Sequence, residues 1–248
     1  MTIDYAEHQP AELLQPFMFT FWKTQNTSGK ESHYTIIPDA GIELIFSINP
    51  TQPLQVTLFG LSTHLLEIRI PDQAVLFGIR FKLLAVEYLL QTRLPTNSSQ
   101  PLSMEFGHLK LHTQTSLASF AESMGALLEK NVHSRAIDPR KRKLLELVYQ
   151  SKGSLSVHEL SLETDWAARQ MNRYFKTSFG LPLKEYLSQL LFFSFLPQIG
   201  QGDFYPQLYY YDQSHLIRQS KKQTGHTPKQ LYQQRKARFV QVESLGNS

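Results

Sequence analysis

Two stretches decide the reading of this chain: Trp166–Lys184, WAARQMNRYFKTSFGLPLK, and Tyr211–Lys229, YDQSHLIRQSKKQTGHTPK. Offset by 45 residues, they align Trp166 with Tyr211, Met171 with Leu216, Arg173 with Arg218, Lys176 with Lys221, Gly180 with Gly225 and Lys184 with Lys229. Self-similarity at a fixed offset marks a supersecondary unit used twice. In each copy a basic amphipathic helix ends at glycine, the residue suited to a left-handed helix exit, and a proline soon starts the next helix. The pattern predicts two helix-turn-helix units joined by one long helix.

Working outward, the helical pattern extends back to Pro139, placed for a first helical turn, with Leu144, Leu145, Leu147 and Val148 on the apolar side and Gly153 past the end. Ser156 and Glu159 have capping-box spacing for a short helix that carries Val157, Leu160 and Leu162. Trp166, Met171, Tyr174, Phe175 and Phe179 form the next apolar stripe, and Tyr186, Leu187, Leu190 and Leu191 another that stops at Pro197.

In a helix-turn-helix the second helix enters the major groove, and two such units about 34 Å apart meet successive major grooves on one face of DNA. Arginine pairs bidentately with guanine, and asparagine or glutamine with adenine. The first reading helix offers Arg169, Asn172 and Arg173 to base edges, and the second offers Gln213, Ser214 and Arg218. Lys176, Lys221 and Lys222 lie a turn further on, where phosphate contact is expected. Charge follows the same division. Residues 1–134 hold 8 Lys/Arg against 12 Asp/Glu, whereas residues 135–248 hold 17 against 9. A basic half behind an acidic one is the electrostatic profile of a nucleic-acid binder with an appended domain.

The run Arg173-Tyr-Phe-Lys-Thr-Ser-Phe-Gly180 followed by Lys184-Glu-Tyr-Leu187, and the run Tyr210-Tyr-Asp-Gln-Ser-His-Leu-Ile-Arg218 followed by Lys221-Lys-Gln-Thr-Gly-His-Thr-Pro-Lys229, resemble the two signatures of the AraC/XylS family of transcription regulators. The N-terminal part is similar to a sensor-like domain found ahead of this DNA-binding domain in some members, through Phe21-Trp22, Ile37-Pro38-Asp39, Glu43-Leu44-Ile45-Phe46, Gly60 and Gly78-Ile-Arg-Phe81. The resemblance implies a regulator, activator or repressor, that binds promoter DNA through both units under control of its N-terminal domain. The chain departs from the family pattern at Ala167 in place of a small capping residue, at Tyr209 in place of a turn glycine, and at Pro206 inside the first helix of the second unit. Leu216 and Ser220 replace core phenylalanines, and the joining helix lacks its customary arginine near Gln189.

Upstream, the runs starting at Tyr34, Gly41, Leu54, His64 and Ala74 are rich in β-branched and aromatic residues, with Pro38-Asp39, Asn49-Pro50 and Pro71-Asp72 between them. This is the signature of a small antiparallel sandwich or barrel. Leu83 to Leu89 and Leu117 to Leu128 then read as helices, and Leu94 to Pro101 as a loop. The expected fold class is α+β in two domains: a β-rich sandwich or barrel-like sensing or dimerisation domain over 1–134, and an all-α DNA-binding domain over 138–240.

Other chemistries find little support. His33, His64, Glu43 and Glu67 lack metal-ligand spacing, and no P-loop, dinucleotide fingerprint, HExxH helix or nucleophile elbow is present. No catalytic residue and no cofactor is expected. The absence of cysteine, of a secretory-type N-terminus and of a long apolar run favours a cytoplasmic protein away from membranes. The expected partners are promoter or operator DNA, a small effector carried by the β domain, and a second copy of the chain. Two alternatives stand beside the regulator: a DNA-binding-like protein that works through protein contacts, and a small β-barrel enzyme with a helical appendage.

Overall fold

The computed structural model describes residues 3–92, 94–102, 106, 109–132, 136–205 and 213–235. In chain order the strands are β1 (Ile3–His8), β2 (Met18–Asn26), β3 (Ser32–Ile36), β4 (Ile42–Asn49), β5 (Gln52–Phe59), β6 (Leu66–Ile70), β7 (Val75–Phe81) and β8 (Ser99–Pro101). The helices are α1 (Leu84–Tyr88), α2 (Leu117–Val132), α3 (Pro139–Gln150), α4 (Val157–Thr164), α5 (Ala168–Phe179), α6 (Leu183–Ser194), α7 (Leu196–Gly200), α8 (Gln213–Thr224) and α9 (Pro228–Gln234). A β-sheet region is followed by a helical one. The chain divides into two compact units, but not by a single cut. Residues up to Ser32, Gly41–Leu61 and Ile70–Arg142 form the first, and His33–Ala40, Ser62–Arg69 and Lys143 onward form the second.

The first unit is built on a six-stranded sheet in the order β1-β2-β7-β4-β5-β8. All its pairings are antiparallel. Strand β4 alternates in the expected way, burying Ile42, Leu44, Phe46 and Ile48. That face receives Phe120 of α2, whose ring lies 4.8 Å from Phe77, 5.3 Å from Phe46 and 6.1 Å from Phe21. Removing one such ring costs about 3–5 kcal/mol.

On the opposite face Trp22 lies across Gly78, its partner in the β2–β7 register. A Cβ at residue 78 would stand 2.0 Å from the indole, so only glycine fits. The Trp22 Nε1–H donates to Glu43 Oε2 at 2.9 Å, and Arg80 Nε donates to Glu43 Oε1 at 2.7 Å. Thus Trp22, Glu43, Gly78 and Arg80, four of the residues behind the N-terminal resemblance, form one structural network. At the far end of β2, buried Asn26 donates through Nδ2 to the carbonyls of Lys30 and Ile70 while its Oδ1 accepts from Ser28.

The second unit contains the two-stranded sheet β3–β6 and the helices from α4 onward. Helix α3 enters it from the first unit, where its start is held by Asp138 Oδ1 accepting from the Arg140 backbone and by the ion pair of Lys141 with Glu87. The Arg140 guanidinium keeps the Asp138 carboxyl below its ordinary pKa. Two expectations require correction. Leu162, read as part of the apolar side of α4, is 70% exposed, because Leu160 and Thr164 at i and i+4 take the buried face. The helical run does not stop at Pro197: it breaks at Phe195, and α7 carries Pro197 in its first turn, where a missing N–H costs nothing.

Candidate nucleic-acid interface

The first helix-turn-helix is α4 and α5. Helix α4 opens with a complete capping box: the Glu159 N–H donates to Ser156 Oγ at 3.2 Å and the Ser156 N–H to Glu159 Oε2 at 2.7 Å. Hydrogen bonding from Ser156, through its backbone N–H first and its side chain second, lowers the Glu159 pKa. The helix ends with Asp165 in the left-handed region, φ 49°, which turns the chain into α5. Asp165 is therefore spent on the turn. Ala167 occupies the N-cap of α5 with no side-chain cap, a loss of about 1 kcal/mol relative to serine.

Helix α5 sorts its residues cleanly. Met171, Phe175 and Phe179 are buried, and Phe175 packs against Phe179 at 5.2 Å and against Tyr186 of α6 at 5.5 Å. Arg169, Asn172, Arg173 and Lys176, at i, i+3, i+4 and i+7, share the other face. With Gln170 and Pro182 they line a surface groove of about 770 Å³. Arg169, Arg173 and Lys176 are exposed, and among the described residues none of them forms an ion pair. Asn172 is half-buried, its Nδ2 donating to the Ala168 carbonyl at 3.1 Å, so its amide must swing outward to reach a base edge. Gln170 was missed by sequence reasoning, although a glutamine beside Arg169 in the repeat has the fork that pairs with adenine.

The repeat is reproduced in three dimensions. Helix α8 begins and ends 45 residues after α5, α9 begins 45 residues after α6, and Gly180 and Gly225 both adopt positive φ, 81° and 73°. Gln213, Ser214, Arg218, Lys221 and Lys222 are exposed on α8, outside the α5 groove. The cores beneath the two helices differ. Where α5 buries Phe175 and Phe179, α8 buries Ser220 and Thr224. Ser220 Oγ donates to the His226 carbonyl at 2.7 Å, and Thr224 Oγ1 to the Ser220 carbonyl at 2.7 Å. Directional bonds replace an aromatic pair. Ser188 of α6 ties to α8 by donating to Gln219 Oε1 at 2.9 Å, and buried Gln189 beside it leaves Oε1 without a partner. Pro206, Tyr209 and Tyr211 lie outside the described residues.

The histidine candidates are dispersed. Glu43 is engaged by Trp22 and Arg80, whereas His33 and Glu67 line a second groove of about 700 Å³ with Arg69 and Gln234, and His64 Nδ1 meets Thr63 Oγ1. Among the described residues no three His, Asp or Glu side chains gather as a metal site.

Residues 6–100 match a family described as a domain of unknown function (DUF6597). No curated protein matches. Solved structures that are similar include ToxT from Vibrio cholerae, at 10% identity over 93% of this chain and 97% of that one with a TM-score of 0.41. The unsaturated fatty acid-bound form of ToxT aligns at 11% identity, 93% and 94% coverage and a TM-score of 0.39. ToxT bound to (E)-4-(8-methylnaphthalen-1-yl)but-3-enoic acid aligns at 10% identity, 97% and 98% coverage and a TM-score of 0.40.

Proposed function

We propose that this chain is a sequence-specific DNA-binding transcription regulator, not an enzyme, related to the AraC/XylS family. Residues 138–240 read promoter DNA, and residues 1–134 supply sensing or self-association. The observation that carries this reading is the α5 face, where Arg169, Asn172, Arg173 and Lys176 converge on one open groove above a packed aromatic core. Three exposed cations that form no ion pair among the described residues, on a helix of major-groove size, are suited to phosphate and base contact. On this reading Gln213, Ser214 and Arg218 meet bases in a second groove, and Lys221 and Lys222 meet phosphates. A small effector in the β-rich unit and a homodimer are the two means of control the reading accommodates. Among the described residues no helix is long and apolar enough to cross a membrane.

The hydrogen-bonded core under α8 favours a second version, in which only the first unit reads bases and the second works through protein contacts. Selection of bound fragments from a random DNA pool by the full chain, at near-physiological salt, separates them. A motif spanning two helical turns is expected, a one-turn motif selects the second version, and no motif removes both.

Within the groove, Arg169→Ala and Asn172→Ala are each expected to cost about 1–3 kcal/mol at particular base pairs and to relax specificity there. Lys176→Ala should weaken all sequences alike and lower the salt slope by about 1. Binding titrations across salt check both. Equal, sequence-independent losses from all three variants would sink the base-reading assignment. Unchanged affinity and footprint length in Arg218→Ala would do the same for α8.

A further inference from the structure

The segment His33–Ala40 lies between two strands of the sheet unit in sequence but belongs to the helical unit. Its two ends are fastened at different places along α6. Ile37 is fully buried in the cluster of Phe192, Phe195, Leu196, Leu216 and Leu231, and so touches the core shared by α6, α7, α8 and α9. Three residues on, the buried Ala40 carbonyl accepts from the Tyr186 hydroxyl at 2.8 Å. Tyr186 is itself fully buried, lies 3.3 Å from the Tyr149 hydroxyl of α3 and packs on Phe175 beneath α5. Tyr186 and Phe192 are six residues apart on α6, roughly 9 Å along its axis. The turn thus runs along the joining helix, with one end under the first reading helix and the other under the second.

Ala40 adopts φ 58°, a left-handed conformation that costs an L-residue about 1–2 kcal/mol. Such strain persists where surrounding structure over-determines it. Here the over-determination comes from the Tyr186 bond on one side and the Ile37 plug on the other. A loop required only to fill a core would not need a strained residue with a buried, bonded carbonyl.

We propose that the turn Ile37–Ala40 is a positioning element that splints α6 between Tyr186 and Phe192 and so fixes α8 relative to α5, which sets the separation of DNA half-sites that the chain accepts. The half-site clause rests on the DNA-reading proposal, and the splint itself does not.

The chain has no cysteine, so the splint can be tested with two spin labels in the full-length protein, at Thr177→Cys on α5 and Lys222→Cys on α8, both exposed positions. Without DNA, the parent is expected to give one narrow interlabel distance distribution. Tyr186→Phe keeps the ring and removes the hydroxyl's bond to Ala40 together with its contact to Tyr149, Tyr149→Phe controls for the latter by removing that contact and leaving the bond to Ala40, and Ile37→Ala removes the plug. Tyr186→Phe and Ile37→Ala are each expected to broaden or displace the distribution, and Tyr149→Phe to leave it unchanged. Should Ile37→Ala fail to fold, Tyr186→Phe decides.

In a second arm, unlabelled protein binds duplexes in which the two selected half-sites are moved apart one base pair at a time. The wild type is expected to prefer one separation by about tenfold or more, and Tyr186→Phe and Ile37→Ala to flatten that preference at unchanged affinity for the half-site read by α5. Unchanged distances in both of these variants overturn the proposal, as does a broadened distribution with the spacing preference intact. If the wild type selects no DNA at all, the functional reading fails, and the distance measurement alone judges the splint.

Discussion

Gly153→Ala is expected to destabilise the helical unit by about 3 kcal/mol or more, and Gly225→Ala by only about 1 kcal/mol. Both glycines follow a helix with positive φ, 79° and 73°, so both substitutions carry the cost of a left-handed L-residue. The surroundings separate them. A Cβ on Gly153 would stand 2.4 Å from the Leu187 carbonyl oxygen and 3.1 Å from the Leu191 nitrogen, both backbone atoms of α6, whereas a Cβ on Gly225 meets nothing within 4 Å. A side chain could rotate away, but a helix backbone cannot. The exit of α3 and the joining helix would have to part, with loss of the packing that makes the approach worthwhile. Urea denaturation of the two variants beside the parent tests this, and equal losses would mean that the close approach of α3 to α6 is not present in solution.

The second large effect concerns a fragment beginning at residue 138. Such a fragment has every helix of the DNA-reading proposal, yet it is expected to keep helical circular dichroism while losing cooperative melting and binding the apolar dye ANS. It lacks Ile37, the fully buried plug of the Phe192 cluster, and truncation of a buried isoleucine alone costs about 2–5 kcal/mol. It also lacks the carbonyl of Ala40, which leaves the buried Tyr186 hydroxyl without that acceptor at a further cost of about 1–3 kcal/mol. Together these approach the whole stability of an ordinary domain. A fragment that melts cooperatively near the full-length temperature and binds DNA equally well would show that the 33–40 segment is dispensable.

The parts of the fold that were legible in the sequence are those governed by local periodicity. Strand β4 declares itself because Ile42, Leu44, Phe46 and Ile48 alternate, and the reading helices because Met171 and Leu216 recur at fixed offsets from Gly180 and Gly225. Strand β1 escaped because Asp4, Ala6, Glu7 and His8 are exposed and Tyr5 is only half-buried, which leaves no apolar alternation to read over 4–8. Strand β2 escaped because several of its buried positions are polar, Thr20, Thr24 and Asn26, so that burial does not coincide with an alternation of apolar residues. The three exposed residues of β8 could only read as loop. For the site, spacing at i, i+3, i+4 and i+7 was enough to bring Arg169, Asn172, Arg173 and Lys176 together, but not to foresee that Asn172 folds back on Ala168. Nor could any local pattern announce that Ala40 meets Tyr186, because that partnership spans 146 residues of chain and leaves no periodic trace.

The unlike cores of the two repeats give the two helices unlike stiffness. Beneath α5 the aromatic pair Phe175 and Phe179 adds bulk apolar burial to Met171, while beneath α8 Leu216 keeps an apolar anchor and Ser220 and Thr224 make hydrogen bonds where α5 has its rings. Local opening is easier where apolar burial is thinner, so amide exchange is expected to be faster in α8 than in α5 while both helices keep their mean positions. On the DNA-reading proposal, α5 is the firmer of the two surfaces offered to DNA, and α8, folded in the free chain, is the one that adjusts more readily. If the chain binds DNA in this way, a change confined to the core of α8 is expected to alter how long it stays on its site far more than how fast it finds it.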